Sequence, residues 1–333
     1  MESLRFPGTG VGTIRRQIQR QAGSPMECVL LGTGGMMPMP DRLLTSLAVR
    51  LGGCCYLFDA GEGVQLGLKR THLGMAGLKV VAITHLHADH CLGLLGLLML
   101  RAQLNHPEPL TILGPPGLSQ FVQQNQEILR FHINYPIHCV EWQSHEETTA
   151  YQDPQVRIVW RPLEHTRFCL GFRLEEHPRP GKFHPERARA LKIPEGPLWG
   201  ALQRGETVSL PSGPTITPSQ VLGTPRRGRH ICYAVDTRPC SALEKLCRAV
   251  DMAFVEGMFL PEDGRHADAK GHLTVVEAAD IAHRAGARRA VLVHISPRYG
   301  EEDLPELERA AREHFSEAQV GRDFDRYLVG YAE

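Results

Sequence analysis

His85-Leu86-His87-Ala88-Asp89-His90 sets three imidazoles and a carboxylate within six residues. The apolar run Leu78 to Thr84 enters it and a Leu/Gly-rich segment leaves it, so the stretch reads as a loop at a strand end, just before a helix. Neutral imidazole and carboxylate are preferred ligands of zinc and similar divalent ions, and a helix N-terminus favours an ionised carboxylate. On an extended backbone His85 and His87 point one way, while Asp89 and His90 turn toward a second position. The spacing therefore predicts a two-metal site. A surface loop rich in His by chance is the bland alternative, and the density of ligand types argues against it.

The same rhythm of apolar strand followed by polar residue recurs further along. Val156 to Trp160 runs toward His165, His230 to Val235 ends at Asp236, Met252 to Val255 ends at Glu256, and Ala290 to Val293 ends at His294. With Val81 to Thr84 before His85, five strands are expected to converge on one edge, where open α/β architectures place their ligands. His272 stands two residues before a helix whose start is marked by a Thr274/Glu277 capping box, whose face is Val275, Ala278, Ala279 and Ala282, and whose end is Gly286. Near the N-terminus, Cys28 to Leu31 is a short strand running into Gly32-Thr33-Gly34-Gly35, a tight turn that lacks the full dinucleotide-binding fingerprint. Asp59 and Glu62, after the strand Tyr56 to Phe58, are expected to support the site or to satisfy turn amides.

A chain of 333 residues suffices for one large domain or two ordinary ones. Its formal net charge of +0 excludes a global attraction to nucleic acid, so any RNA contact must be local. No apolar run is long enough to cross a membrane. Leu92 to Leu100 is apolar on every side, as expected of a buried helix. The nine cysteines contain no C-x-x-C pair, and most lie within apolar runs; they read as reduced, buried small hydrophobes of a cytoplasmic protein, which argues against a thiolate zinc site. Residues 1–25 are expected to be a disordered extension that adds nothing to the core; a start upstream of the true one at Met26 explains them equally well.

Between residues 176 and 229 the composition changes. Prolines and glycines recur, only Pro185 to Leu191 carries a helical pattern, and so long an excursion is expected to be functional. It is also basic: Arg179, Lys182, Arg187, Arg189, Lys192, Arg204, Arg226, Arg227 and Arg229 stand against Glu176, Glu186, Glu195 and Glu206. Such a cluster suits phosphates, although a solvated loop has the same composition.

Taken together, these residues resemble ribonuclease Z, the tRNA 3′-processing endonuclease family of the metallo-β-lactamase superfamily. The likeness runs from about Met26 to about Tyr299. It rests on Leu31-Gly32-Thr33-Gly34, Phe58-Asp59-Ala60-Gly61-Glu62, the His85 to His90 motif, His165, Ile193-Pro194-Glu195-Gly196-Pro197, Asp236-Thr237-Arg238, Glu256, His272-Leu273-Thr274 and His294-Ile295-Ser296. The resemblance implies an α/β fold, a four-layer αβ/βα sandwich over residues 26–333 with an inserted tRNA-binding arm at about 176–225. It implies two Zn²⁺ per chain, or Mn²⁺: one held by His85, His87 and His165, the other by Asp89, His90 and His294, with Asp236 bridging. Asp89, Glu256 and His272 are the implied catalytic residues, Asp89 taking the proton of the attacking water and His272, oriented by Glu256, protonating the leaving 3′ oxygen. Lys182, Arg187, Gly196 and Pro197 are the implied substrate contacts of the arm. The implied partners are precursor tRNA and a second copy of the chain, the arm of one subunit clamping tRNA bound to the other.

The chain departs from the family's commonest pattern in four places: Ala88 stands where glycine is usual, Val255 before Glu256 where many members have histidine, Leu273 where serine is frequent, and Arg42-Leu43 where an Arg-Asn pair is common. They spare the metal ligands and leave the trailer preference open. Two other readings compete, a phosphodiesterase of the same superfamily acting on small or cyclic nucleotides, and a non-catalytic RNA-binding module. The first would not need the arm; the second would not need every ligand position filled.

Overall fold

A computed structural model describes residues 24–75, 77–104, 106–143, 148–210 and 213–332. The expected disordered extension at 1–25 lies almost wholly outside the described residues. The described chain divides into two compact units, one comprising residues 25–175 and 229–330 and the other centred on 176–228.

The larger unit begins with β1 (Met26–Gly32), β2 (Ser46–Leu51), β3 (Cys54–Phe58), α1 (Val64–Arg70), β4 (Leu78–Ala82), α2 (Ala88–Gln103), β5 (Leu110–Gly114), α3 (Leu118–Leu129) and β6 (Ile137–Glu141). It continues through β7 (Thr148–Gln152), β8 (Val156–Leu163) and β9 (Cys169–Glu176), where the smaller unit is inserted. That insert holds α4 (Pro185–Ala190), α5 (Pro197–Gln203), β10 (Val208–Ser209) and β11 (Thr215–Ile216). The larger unit resumes with β12 (His230–Ala234), α6 (Ser241–Cys247), β13 (Met252–Glu256), α7 (Gly264–Lys270), α8 (Val275–Arg284), β14 (Ala290–Val293), α9 (Leu304–His314), β15 (Ala318–Val320) and β16 (Arg326–Val329).

Its strands form two seven-stranded mixed sheets, ordered β16-β1-β2-β3-β4-β5-β6 and β15-β14-β13-β12-β9-β8-β7. The period-two alternation of strand side chains sorts residues between layers. Along β1, Cys28 and Leu30 face the other sheet while Val29 and Leu31 face helices. Along β12, Ile231 and Tyr233 enter the central layer while Cys232 and Ala234 pack under helices. Two sheets face to face with helices outside make a four-layer αβ/βα sandwich, as expected.

The helix after the His motif departs from expectation. Leu92 and Met99 on α2 are 47% and 38% exposed, and Leu66 on α1 is 43% exposed. A helix apolar all round has thus one face in the core, with Leu94, Leu97 and Leu98, and one face outward. No helix among the described residues is long and apolar enough to cross a membrane. All nine cysteines are free, and six are buried.

The insert also corrects its sequence reading. Besides α4 it contains α5, a short hairpin pairing Val208 with Ile216, and a core of its own in which Ala188, Ile193, Leu202, Val208, Ile216 and Val221 are buried. The second helix was hidden by its composition: Pro197 opens it and Gly200 interrupts it, both poor helix formers by propensity. Proline at the first helical position nevertheless has its φ preset and needs no N–H partner.

Candidate metal centre

Every site residue singled out from the sequence, apart from the four in the arm, lies in the larger unit, and the fold draws the metal-ligand candidates together from strand ends of both sheets. β4 delivers Thr84 and His85, α2 opens on Ala88 and carries Asp89 and His90, β8 leads to His165, β12 to Asp236, β13 ends in Glu256, and β14 leads to His294. Asp236 and His294 take positive φ values of 55° and 59°, as does Asp59 at 55°. This left-handed conformation is uncommon for residues with side chains and clusters at functional sites, where the surrounding structure imposes it.

The ligand atoms fall into two groups. Those of His85, His87, His165 and Asp236 lie within 4.8 Å of one another, and so do those of Asp89, His90 and His294. Asp236 faces both. Its Oδ2 is 3.5 Å from His85 Nε2 and 3.6 Å from His165 Nε2, while its Oδ1 is 3.2 Å from His90 Nε2 and 3.2 Å from His294 Nε2.

The far sides of the rings are anchored, which fixes the nitrogen turned inward. His85 Nδ1 meets the Thr84 hydroxyl at 3.0 Å, and His165 Nδ1 meets the Gly271 carbonyl at 2.9 Å. His90 Nδ1 meets Asp59 at 2.7 Å, and Asp59 itself accepts from the Thr84 amide and the Tyr233 hydroxyl. Asp59 thus supports His90, whereas Glu62 is exposed. His294 is held by packing: a Cβ on Gly35 would come within 2.6 Å of its ring, so only glycine lets that loop lie against it.

The donor set fits a divalent cation. Asp236 Oδ1 is buried without a hydrogen-bond partner among the described residues, a costly state unless a cation completes the site. Two inward nitrogen pairs, His85 Nε2 with His87 Nδ1 and His90 Nε2 with His294 Nε2, stand 2.8 and 3.2 Å apart. Burial holds the His85 and His87 pKa values down, favouring the neutral imidazole that binds metal. Burial also pulls His90 down, yet Asp236 and Asp59 outweigh it and hold His90 well above its ordinary value, as expected where carboxylates exceed the local positive charge.

Beside the two groups, His272 Nδ1 lies 3.0 Å from Glu256 Oε2. Burial lowers the His272 pKa, and Glu256 reverses this and raises it. Glu256 is fully buried and also accepts from the backbone of Thr237, at 2.5 Å, and of Leu273, at 3.2 Å. The substituted residue Leu273 therefore contributes its amide, which any side chain leaves available. Arg238, quoted from the sequence only as part of the Asp236-Thr237-Arg238 motif and given no role there, binds the His272 carbonyl and Glu277 through its guanidinium, fastening the start of α8 beside the site. A 450 Å³ cleft opens over the cluster, with Met36, Thr166 and Lys270 among the residues around its mouth.

In the arm, Lys182 and Arg187 are exposed and make no ion pair among the described residues, whereas Arg189 and Arg204 are paired with Glu195 and Glu206. Gly196 has a φ of +120°, a conformation that suits glycine, and Pro197 follows it as the first residue of α5. Both are exposed.

A family model described as a beta-lactamase superfamily domain matches residues 55–184 and 204–295. A protein named ribonuclease Z from Treponema denticola is 42% identical over 300 residues, spanning 90% of this chain and 96% of that protein. The chain belongs to the ribonuclease Z family. A ribonuclease Z from Treponema pallidum is 41% identical over 310 residues, 92% of this chain and 99% of that protein. Among solved structures, the short form of human tRNase Z superposes with a TM-score of 0.65 at 24% identity, covering 92% of this chain and all of that one, which shows the shared fold. Family membership thus agrees with the resemblance read from the sequence motifs.

Proposed function

We propose that the chain is a metal-dependent endoribonuclease that cuts the 3′ trailer from precursor tRNA, leaving a 3′-hydroxyl on the tRNA and a 5′-phosphate on the trailer. As a member of the ribonuclease Z family it is a hydrolase of the endoribonuclease class. The observation that carries the reading is Asp236, whose two oxygens face two separate imidazole groups.

In this reading His85, His87 and His165 would hold one zinc and Asp89, His90 and His294 a second, and Asp236, which faces both groups, would contribute to each. Manganese meets the same donors, and geometry and supply select between them. When bound, the two ions favour deprotonation of the attacking water and offset the charge that builds on the phosphodiester. Asp89 accepts the water's proton; its Oδ2 is positioned by the Met36 amide at 2.7 Å. His272 carries a proton to the departing 3′ oxygen. Glu256 keeps the ring oriented and stabilises its charged form, and Glu256 is itself fixed by the Thr237 and Leu273 amides, so the acid is preorganised.

The arm supplies the tRNA contacts, with Lys182, Arg187, Gly196 and Pro197 in that role. The exposed apolar side chains Leu66, Leu92 and Met99 support a homodimer, because a second copy would cover them. Nine free cysteines support a reducing, cytoplasmic setting. The test of the metal assignment is elemental analysis of the purified protein. About two ions per chain are expected, falling in His85→Ala and His294→Ala variants, and a folded protein devoid of metal would refute the assignment.

A further inference from the structure

Asp236, Thr237 and Arg238 are consecutive, and each reaches the site in its own way. Asp236 faces both ligand groups. The Thr237 amide donates to Glu256 Oε1 at 2.5 Å, and Glu256 Oε2 meets His272 Nδ1 at 3.0 Å. The Arg238 guanidinium donates to the His272 carbonyl and to the two carboxylate oxygens of Glu277, at 3.1 and 3.3 Å, and it also pairs with Asp268. The segment that follows β12 therefore holds His272 from two sides, its ring through Glu256 and its backbone through Arg238.

The stability of α8 does not account for Arg238. The capping box closes between Thr274 and Glu277 alone, each bonding the other's backbone. The His272 carbonyl, by contrast, lies before that helix, and no backbone amide among the described residues meets it. The guanidinium is the donor that does. With the Arg238 side chain only 25% exposed, this charge-assisted bond is partly shielded from water and fixes a direction. The fork is presented from a fixed base, because the Arg238 amide donates to the Glu164 carbonyl at 2.7 Å, next to His165. A planar fork can serve a carbonyl and a carboxylate at once, which a lysine ammonium does not reproduce.

We propose that Arg238 is a positioning residue for the general acid, an inference that rests on the reading of His272 as that acid: by holding the His272 carbonyl, it keeps the imidazole where the 3′ oxygen departs. Glu256 takes Nδ1, which leaves Nε2 to carry the transferred proton. In that step the Nε2–H bond and the phosphorus–oxygen bond break together, the proton joins the released oxygen to form the 3′-hydroxyl, and His272 is left neutral. Arg238 acts through His272 and touches no reacting atom. Its effect is large for its distance because a displacement of about 1 Å at a reacting group can cost on the order of 10²-fold in rate.

The test compares the metal-loaded wild type with Arg238→Met, which keeps an aliphatic stem and removes the fork, and with Arg238→Lys, each also made in a His272→Ala background. The readouts are kcat and KM on a precursor tRNA, metal content, and turnover of bis(p-nitrophenyl) phosphate, whose leaving group departs without needing a proton. In Arg238→Met, kcat on precursor tRNA is expected to fall on the order of tenfold or more, and in Arg238→Lys by less. KM, metal content and turnover of the small diester are expected to stay at wild-type values. In the His272→Ala background Arg238→Met is expected to add no further loss, because both changes remove one function. A wild-type kcat in Arg238→Met, an equal fall on both substrates, or a full further loss in the His272→Ala background would overturn the positioning role and leave the proposed function standing. Should Arg238→Met fail to fold, the same readouts on Arg238→Lys decide. Wild-type turnover by His272→Ala alone, or a precursor left intact by the wild type, would instead overturn the proposed function and this inference with it.

Discussion

At the scale of single residues, the imidazoles that face the site are held by different means. His85, His90 and His165 each use one ring nitrogen on a hydroxyl, a carboxylate or a carbonyl, leaving the other to face Asp236. His294 has no such partner among the described residues and is held by the contact with Gly35. His272 differs in purpose, because its carboxylate partner raises its proton affinity. His272→Ala is therefore expected to retain both metals while kcat on precursor tRNA falls by on the order of 10² or more. Metal analysis together with single-turnover kinetics checks this, and wild-type turnover would rule out the acid role. The ligand types were legible in the sequence because each follows an apolar run. The supports were less so: Asp59 was open to two readings, and Arg238 and Gly35 act through tertiary neighbours separated from them in the chain, which spacing cannot reveal.

At the scale of elements, strand ends carried most of the legible information. The Thr274/Glu277 capping box forms as read, and it fixes the backbone two residues beyond His272. Two elements were misjudged for physical reasons. α2 is apolar all round, a pattern that burial and an exposed apolar face both produce, so composition cannot separate them. The arm's second helix begins on a proline and contains a glycine, so local propensity hid what its small core stabilises. Because that core is internal to the arm, removing residues 178–222 should leave the two-sheet unit folded. Cleavage of precursor tRNA is expected to collapse in this deletion while hydrolysis of a small bis-aryl phosphodiester survives. Equal loss of both activities in a folded protein, or full retention of both, would show that the arm is not a tRNA-binding element.

At the scale of the molecule, a formal net charge of +0 is compatible with an RNA substrate only if positive charge is concentrated. The arm is one such concentration. The outward apolar residues Leu66, Leu92 and Met99 set the expectation for assembly. A Leu92→Glu/Met99→Glu variant should sediment as a monomer where the wild type sediments as a dimer, and tRNA cleavage should drop with it if the arm of one subunit serves the other. A wild-type monomer at working concentration would remove the dimer from the account. The central claim, a two-metal endonuclease acting at the 3′ end of tRNA, is tested most directly by incubating the protein with end-labelled precursor tRNA and mapping the products, with and without chelator. The account predicts one cut at the trailer junction, a 3′-hydroxyl on the tRNA, a 5′-phosphate on the trailer, and loss of the cut on chelation with recovery on adding Zn²⁺ or Mn²⁺. A cut that persists undiminished after complete metal removal, or an intact precursor in the presence of metal, would contradict it.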